Sequence, residues 1–213
     1  ETQIEVDRRI IRKKISLLKK KLKSIDSERQ VQSKKRKSFF RTSFVGYTNV
    51  GKSSLMKSVT KSDVLIRNQL FATLDTTVRR LFIGDNNYAL LSDTVGFIRN
   101  LPDNLIASFK STLQEVVDSD LLLIVLDANS KDLFNEIETI KSVLKEINAN
   151  EIDYKYVFNK IDLVDAEKIS YLKQSFPESL MVSATRSLQI SDIKDTIAEK
   201  YEEWVSALKN PSH

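Results

Sequence analysis

Cysteine is absent from this 213-residue chain, and histidine occurs once, at position 213. The first absence excludes disulfides and thiolate metal sites and suits a reducing compartment. The second leaves no histidine pair for metal binding or for a triad. Glycine is scarce too, with four residues, and proline has three, so neither low-complexity nor linker-rich structure is indicated. No apolar run reaches the roughly 18 residues that suggest a membrane span. The opening ETQIEVDRR carries no apolar segment of the secretory kind. The expectation is a soluble, cytoplasmic chain with no membrane partner, an organellar setting not being excluded by the sequence.

What is present is charge, unevenly spread. The formal net charge of +5 conceals a division: residues 1–41 hold 15 Lys and Arg against 5 Asp and Glu, while the rest hold 19 against 24. A basic first fifth suits a polyanionic partner, because clustered cations displace counterions from phosphates. The alternative is a solvated helix face. Within this segment Ile4, Ile11, Ile15, Leu18, Leu22 and Ile25 form a heptad-like seam on a long basic helix. SERQVQSKKRKS (27–38) reads as a fraying end or linker, which puts a boundary near Lys37 and divides the chain into 1–37 and 38–213.

Beyond it the pattern alternates. Strands are expected at 39–47, 121–127, 154–159 and 180–184, with a β-hairpin of 78–84 and 87–93 turning at Asp85–Asn86. Helices are expected at 53–60, 104–118, 131–147, 166–175 and 190–208, the last placing Ile193, Ile197, Tyr201, Trp204 and Leu208 on one core-facing side. Such alternation predicts a three-layer α/β/α fold with a mostly parallel sheet covered on both faces. The unbroken run LLLIVL suits its central strand.

Gly46-Tyr47-Thr48-Asn49-Val50-Gly51-Lys52-Ser53 matches G-x-x-x-x-G-K-[ST] and lies between an expected strand and helix, as a P-loop requires. Its glycines let backbone N–H groups wrap a β-phosphate. Lys52 neutralises β/γ charge, and the Ser53 hydroxyl is a ligand for Mg²⁺. Asp93-Thr94-Val95-Gly96 ends the next apolar strand. There a carboxylate can hold Mg²⁺ through water, and the Gly96 N–H can meet a γ-phosphate. Asn159-Lys160-Ile161-Asp162 ends another strand and selects the base. The Asp162 carboxylate can accept from N1–H and N2–H₂ of guanine, whereas adenine leaves it unpaired at a cost of a few kcal/mol. Ser183-Ala184-Thr185 follows a short strand and can offer backbone N–H to guanine O6. The four motifs in this order make a GTP site, with GDP as product.

GYTNVGKSSL, LFATLDTTVRR (70–80), LSDTVGFIRNLP (91–102) and NKID resemble the signatures of the HflX GTPases, and ETQIEVDRR resembles the segment leading into that family's second long helix. The resemblance covers the whole chain and is most specific over 46–102. It implies a P-loop G domain joined to a coiled-coil arm and acting on the large ribosomal subunit. Family members hydrolyse GTP slowly, respond to ribosomes and can split them under stress. It also implies that Phe71, Ala72, Thr73, Leu74 and Asp75 form switch I, with Thr73 as a second protein ligand to Mg²⁺, so that Lys52, Thr73 and Gly96 serve the reaction. Val50 stands where the family has Ala, and Thr76 where it has Pro. The family's N-terminal domain and first arm helix have no counterpart here, which reads as part of a longer chain.

Phe97 follows D-T-V-G where many GTPases carry a water-positioning Gln. A phenyl ring neither orients nor polarises water, so slow intrinsic hydrolysis is expected unless a partner supplies the missing group. Arg79 and Arg80 can either stabilise transition-state charge or make surface pairs on a strand. The leading reading is therefore a monomeric, Mg²⁺-dependent GTPase of ribosomes with no DNA partner. Two others remain open: an Obg- or Era-like GTPase with another RNA client, and a GTP-dependent RNA-binding module that does not hydrolyse.

Overall fold

The computed structural model describes residues 9–17, 39–60, 77–94, 96 and 113–209. The chain divides into two compact units, Glu1–Ser38 and Phe39–His213. In the first, residues 9–17 are helical, and Ile10, Ile11, Ile15 and Leu17 are all exposed. Ile4, Leu18, Leu22 and Ile25 of the expected seam lie outside the described residues.

The second unit is built on six strands, β1 (Arg41–Val45), β2 (Thr77–Gly84), β3 (Asn87–Asp93), β4 (Leu121–Asp127), β5 (Tyr154–Asn159) and β6 (Leu180–Met181). They form one sheet in the order β2-β3-β1-β4-β5-β6. Every neighbouring pair is parallel except β2–β3. Among the described residues the helices of this unit are α1 (Lys52–Thr60), α2 (Gln114–Val117), α3 (Leu133–Glu146), α4 (Ala166–Ser175) and α5 (Ile190–Lys209). The expected helix at 104–118 is described only from residue 113 onward. A single 3₁₀ turn, Ile161–Leu163, follows β5, and the strand expected over 180–184 is shorter, ending at Met181.

Side-chain chemistry accounts for this arrangement. Leu121–Leu126 of β4 are all buried, as a strand flanked by parallel neighbours and covered on two faces demands. Each such side chain contributes roughly 1.5–3 kcal/mol by leaving water. Alternation along β1 puts Phe40 and Ser43 on opposite faces of the sheet. Phe40 meets the edges of Trp204 and Tyr201 on α5, with centroids 5.8 and 6.2 Å away. On the other face, Ser43 Oγ lies 2.7 Å from Ser119 Oγ, just beyond α2. Helical structure therefore covers both faces. The apolar stripe of α5 runs from Ile193 and Ile197, both fully buried, to half-buried Tyr201 and Trp204, and it ends there, because Leu208 is exposed. The β2–β3 turn has positive φ at both Asp85 (46°) and Asn86 (59°). That is the type I′ geometry whose twist matches an antiparallel pair, and Asp and Asn tolerate it better than most residues.

Because the parallel strands share one direction, their carboxyl ends gather the loops after β1, β3, β5 and β6 at one edge. All four sequence motifs arise there.

Candidate nucleotide-binding site

The loop between β1 and α1 takes its shape from left-handed backbone at Asn49 (φ 64°) and Gly51 (φ 96°). Gly51 has a second reason to lack a side chain: a Cβ there would overlap the Asn159 amide nitrogen. Lys52 opens α1, folds back and is buried, its Nζ donating to the carbonyls of Gly46 (3.0 Å) and Tyr47 (2.8 Å). Burial lowers its pKa to about 8, partly opposed by the nearby Asp93 carboxylate. The ammonium thus sits inside the loop, held by the backbone whose N–H groups a phosphate would engage.

Ser53 Oγ donates to Asp93 Oδ2 at 2.5 Å, bringing the P-loop hydroxyl against the carboxylate at the tip of β3. Two hard oxygen donors side by side fit Mg²⁺, which takes few protein ligands and completes its shell with water and phosphate oxygens. Among the described residues no group of three or more His, Cys, Asp or Glu gathers to hold a metal. Thr94 Oγ1 donates to the Phe44 carbonyl at 2.7 Å and ties the D-T-V-G segment to β1. Gly96 lies directly against the P-loop, since a Cβ on it would come within 2.7 Å of Thr48 Cα and 2.8 Å of Thr48 N. Val95 and Phe71–Asp75, with the switch I reading of Thr73, lie outside the described residues.

Asn159 joins three loops. Its Nδ2 donates to the Val50 carbonyl (2.9 Å), its Oδ1 accepts from Ala184 N (3.0 Å), and its own carbonyl accepts from Ala128 N (2.9 Å). Lys160 is left-handed (φ 65°), which turns its side chain back toward the P-loop. There Nζ donates to the Asn49 carbonyl (2.9 Å) and to Asp127 Oδ2 (2.7 Å). Ile161 is buried as an anchor, and the following 3₁₀ turn leaves Asp162 exposed beside the loop of Ser183 to Thr185. Ile161 N donates to the Val182 carbonyl at 3.2 Å, linking the two segments directly.

One expectation narrows. Ser183 N is engaged by the Leu188 carbonyl and Ala184 N by Asn159, which leaves Thr185, exposed at the tip, as the donor available to a base oxygen. The sequence reading also missed Asp127. It ends β4, accepts from Lys160 and Asn129 N, and with Tyr47, Thr48, Asn49 and Ser130 lines a cavity of about 400 Å³ beside the P-loop. An Asp closing the apolar run LLLIVL was the available signal. Arg79 and Arg80 do not reach this site. Thr77 is the β2 residue paired with Asp93, and the two arginines lie two and three residues farther along the strand. Arg80 makes its surface pairing on the strand with aromatic rings, those of Phe39 and Tyr88.

The family model described as "50S ribosome-binding GTPase" matches residues 41–160, from β1 through the Asn159–Lys160 pair. The chain belongs to this GTPase family. Within it, GTPase HflX of Flavobacterium psychrophilum is 52% identical over 162 residues, covering 76% of this chain and 39% of the relative. GTPase HflX of Escherichia coli is 39% identical over 204 residues, covering 94% of this chain and 48% of the relative. The likeness to HflX drawn from GYTNVGKSSL and DTVGFI is thus found across most of the chain, which spans less than half the length of these relatives. Among solved structures, a GTP-binding protein of Sulfolobus solfataricus in complex with GDP aligns with a TM-score of 0.64 at 25% identity, covering 95% of this chain and 61% of that one. The three-layer P-loop GTPase fold with its mostly parallel sheet stands.

Proposed function

We propose that this chain is the catalytic part of a Mg²⁺-dependent GTPase that hydrolyses GTP to GDP and phosphate while engaged with the large ribosomal subunit. The observation that carries the reading is the convergence on Asn159. One buried amide ties the P-loop, the N-K-I-D segment and the S-A-T loop into a single frame. In that frame Asp162 accepts from N1–H and N2–H₂ of guanine, and Thr185 N donates to O6. Lys52 would pair with the β- and γ-phosphates, Ser53 and Asp93 would hold Mg²⁺, and Gly96 N–H would meet the γ-phosphate. The chemistry that Mg²⁺ would supply there is neutralisation of charge developing on the phosphate oxygens. Thr73 would complete its shell in the GTP state. The ribosomal client is supported by the family description and by the basic excess before residue 42.

The residue immediately after Gly96 is Phe97, whose apolar ring cannot polarise water. Hydrolysis by the free protein is therefore slow, and the large subunit supplies or repositions the missing group. Single-turnover hydrolysis of GTP with and without purified large subunits tests this. The expected result is an increase of at least tenfold on adding subunits. Equal rates would remove the ribosome from the mechanism. No hydrolysis in either condition would leave a GTP-dependent binding module, the reading that Phe97 also permits.

A further inference from the structure

The outer edge of the sheet carries a surface that the nucleotide site does not use. β2 is a terminal strand, and the register Phe82↔Tyr88 and Arg80↔Leu90 places Arg80, Phe82 and Tyr88 on one face of the hairpin. Phe82 and Tyr88 are 45% and 40% exposed, large fractions for aromatic rings, and they meet edge to face at 5.4 Å. The Arg80 guanidinium lies 5.3 Å from the centroids of both Tyr88 and Phe39, and Lys194 Nζ lies 5.4 Å from that of Phe82. Arg80 and Lys194 have no carboxylate partner among the described residues, so rings hold both cations and neither is neutralised.

We infer that this aromatic–basic face of the β2–β3 hairpin is a binding surface for single-stranded RNA, with bases stacking on Phe82 and Tyr88 and phosphates meeting Arg80 and Lys194. Exposed rings interleaved with unneutralised cations offer the two contacts a flexible polyanion with planar bases needs: π-faces for stacking and charge for its backbone. A guanidinium already fixed between two rings keeps its N–H edges free for phosphate oxygens and loses little side-chain freedom when they arrive. An acidic protein would satisfy the cations but leave the rings without flat partners. The face is also remote from the nucleotide. Phe82 lies five residues along β2 from Thr77, the partner of Asp93, or roughly 17 Å at strand rise. RNA can therefore occupy it without displacing GTP.

The inference rests on the RNA-client reading above, and its test separates the two. The full chain, a Phe82→Leu/Tyr88→Leu variant and an Arg80→Gln/Lys194→Gln variant are titrated against a labelled short oligouridylate at two salt concentrations, and separately against large ribosomal subunits. GDP affinity and Tm confirm that each variant is folded. The leucine variant is expected to lose at least about tenfold in oligonucleotide affinity, the loss that stacking on a single ring accounts for. The glutamine variant is expected to flatten the salt dependence by about one in log–log slope. Unchanged oligonucleotide binding in both variants overturns the inference. So does a loss confined to ribosomal subunits, which would place a ribosomal protein on this face. If the unaltered chain binds oligouridylate through these residues but does not bind large subunits, the surface stands and the ribosomal client falls.

Discussion

The amide of Asn159 donates to the carbonyl of Val50 across 2.9 Å and a sequence separation of 109 residues. Both partners are buried, and the same side chain accepts from Ala184 N at 3.0 Å. A backbone carbonyl in the middle of the P-loop is thereby tied to the loop that carries Ala184, which links the two ends of the candidate site. Asn is suited to this position because one side chain must both donate and accept.

Replacing Asn159 with Ala strands the Val50 carbonyl and the Ala184 N–H in a dry environment. Each orphaned group costs about 1–3 kcal/mol, so unfolding free energy should fall by roughly 2–6 kcal/mol. GDP affinity should drop by more than tenfold, because both ends of the site loosen together. Asn159→Asp should be nearly as damaging, since its carboxylate accepts from Ala184 but cannot donate to Val50. Denaturant melts with a GDP titration check this, and an Ala variant of unchanged stability would show that the three loops are held by other contacts.

Lys52 sets the pH dependence. In the nucleotide-free protein burial holds its pKa at about 8, and bound phosphates, as opposite charges, raise it. Below about pH 8 the ammonium is present in both states, and this group adds no pH dependence. Above it, binding takes up a proton, so GDP affinity should fall as pH rises. The stability of the empty protein moves the other way. Unfolding returns Lys52 to its ordinary value of 10.5, so the unfolded chain holds the extra proton between about pH 8 and 10.5, and folding stability from this group rises with pH across that window. Calorimetric titration near pH 9 in two buffers of different ionisation heat should detect up to one proton taken up per GDP. Heats that do not depend on the buffer would contradict the assignment.

The fold and the gathering of the four motifs at one edge of the sheet were legible because each rests on a local rule. Glycine with Lys-Ser between a strand and a helix is a P-loop, Asp-Asn between two alternating runs is a hairpin turn, and LLLIVL has to be buried on both faces. What escaped depends on partners distant in sequence. The Asp127–Lys160 ion pair spans 33 residues and exists because Lys160 adopts a left-handed backbone, which no periodicity announces. Likewise, the donation of Ala184 N to Asn159 rather than to a base oxygen depends on how β5 and β6 lie side by side. Surface pairing of Arg80 on a strand was legible but its partners were not: the residue across the ladder is Leu90 and the nearest partners are rings.

Deleting residues 1–38 separates charge from chemistry. Every nucleotide motif begins at Gly46 or later, and the unit Phe39–His213 contains all of them. Guanine-nucleotide affinity should therefore stay within about twofold. Affinity for large ribosomal subunits should fall, and its salt dependence should flatten, because fewer phosphates are neutralised. Binding at two salt concentrations decides it. Equal affinities and slopes for the two proteins would reduce the basic segment to a solvated helix.

The central claim is that guanine is read by one carboxylate, and exchanging that carboxylate for an amide tests it most directly. Asp162 is exposed at the 3₁₀ turn after β5, so Asp162→Asn removes an acceptor without disturbing the core. Affinities of both proteins for GTP, ATP and xanthosine triphosphate are the measurement. The unaltered chain should prefer GTP over ATP by well over tenfold. The variant should lose at least tenfold for GTP and gain for xanthosine triphosphate, whose O2 accepts from the new amide. Equal GTP and ATP binding by the unaltered chain, or a variant that keeps its guanine preference, would contradict the account.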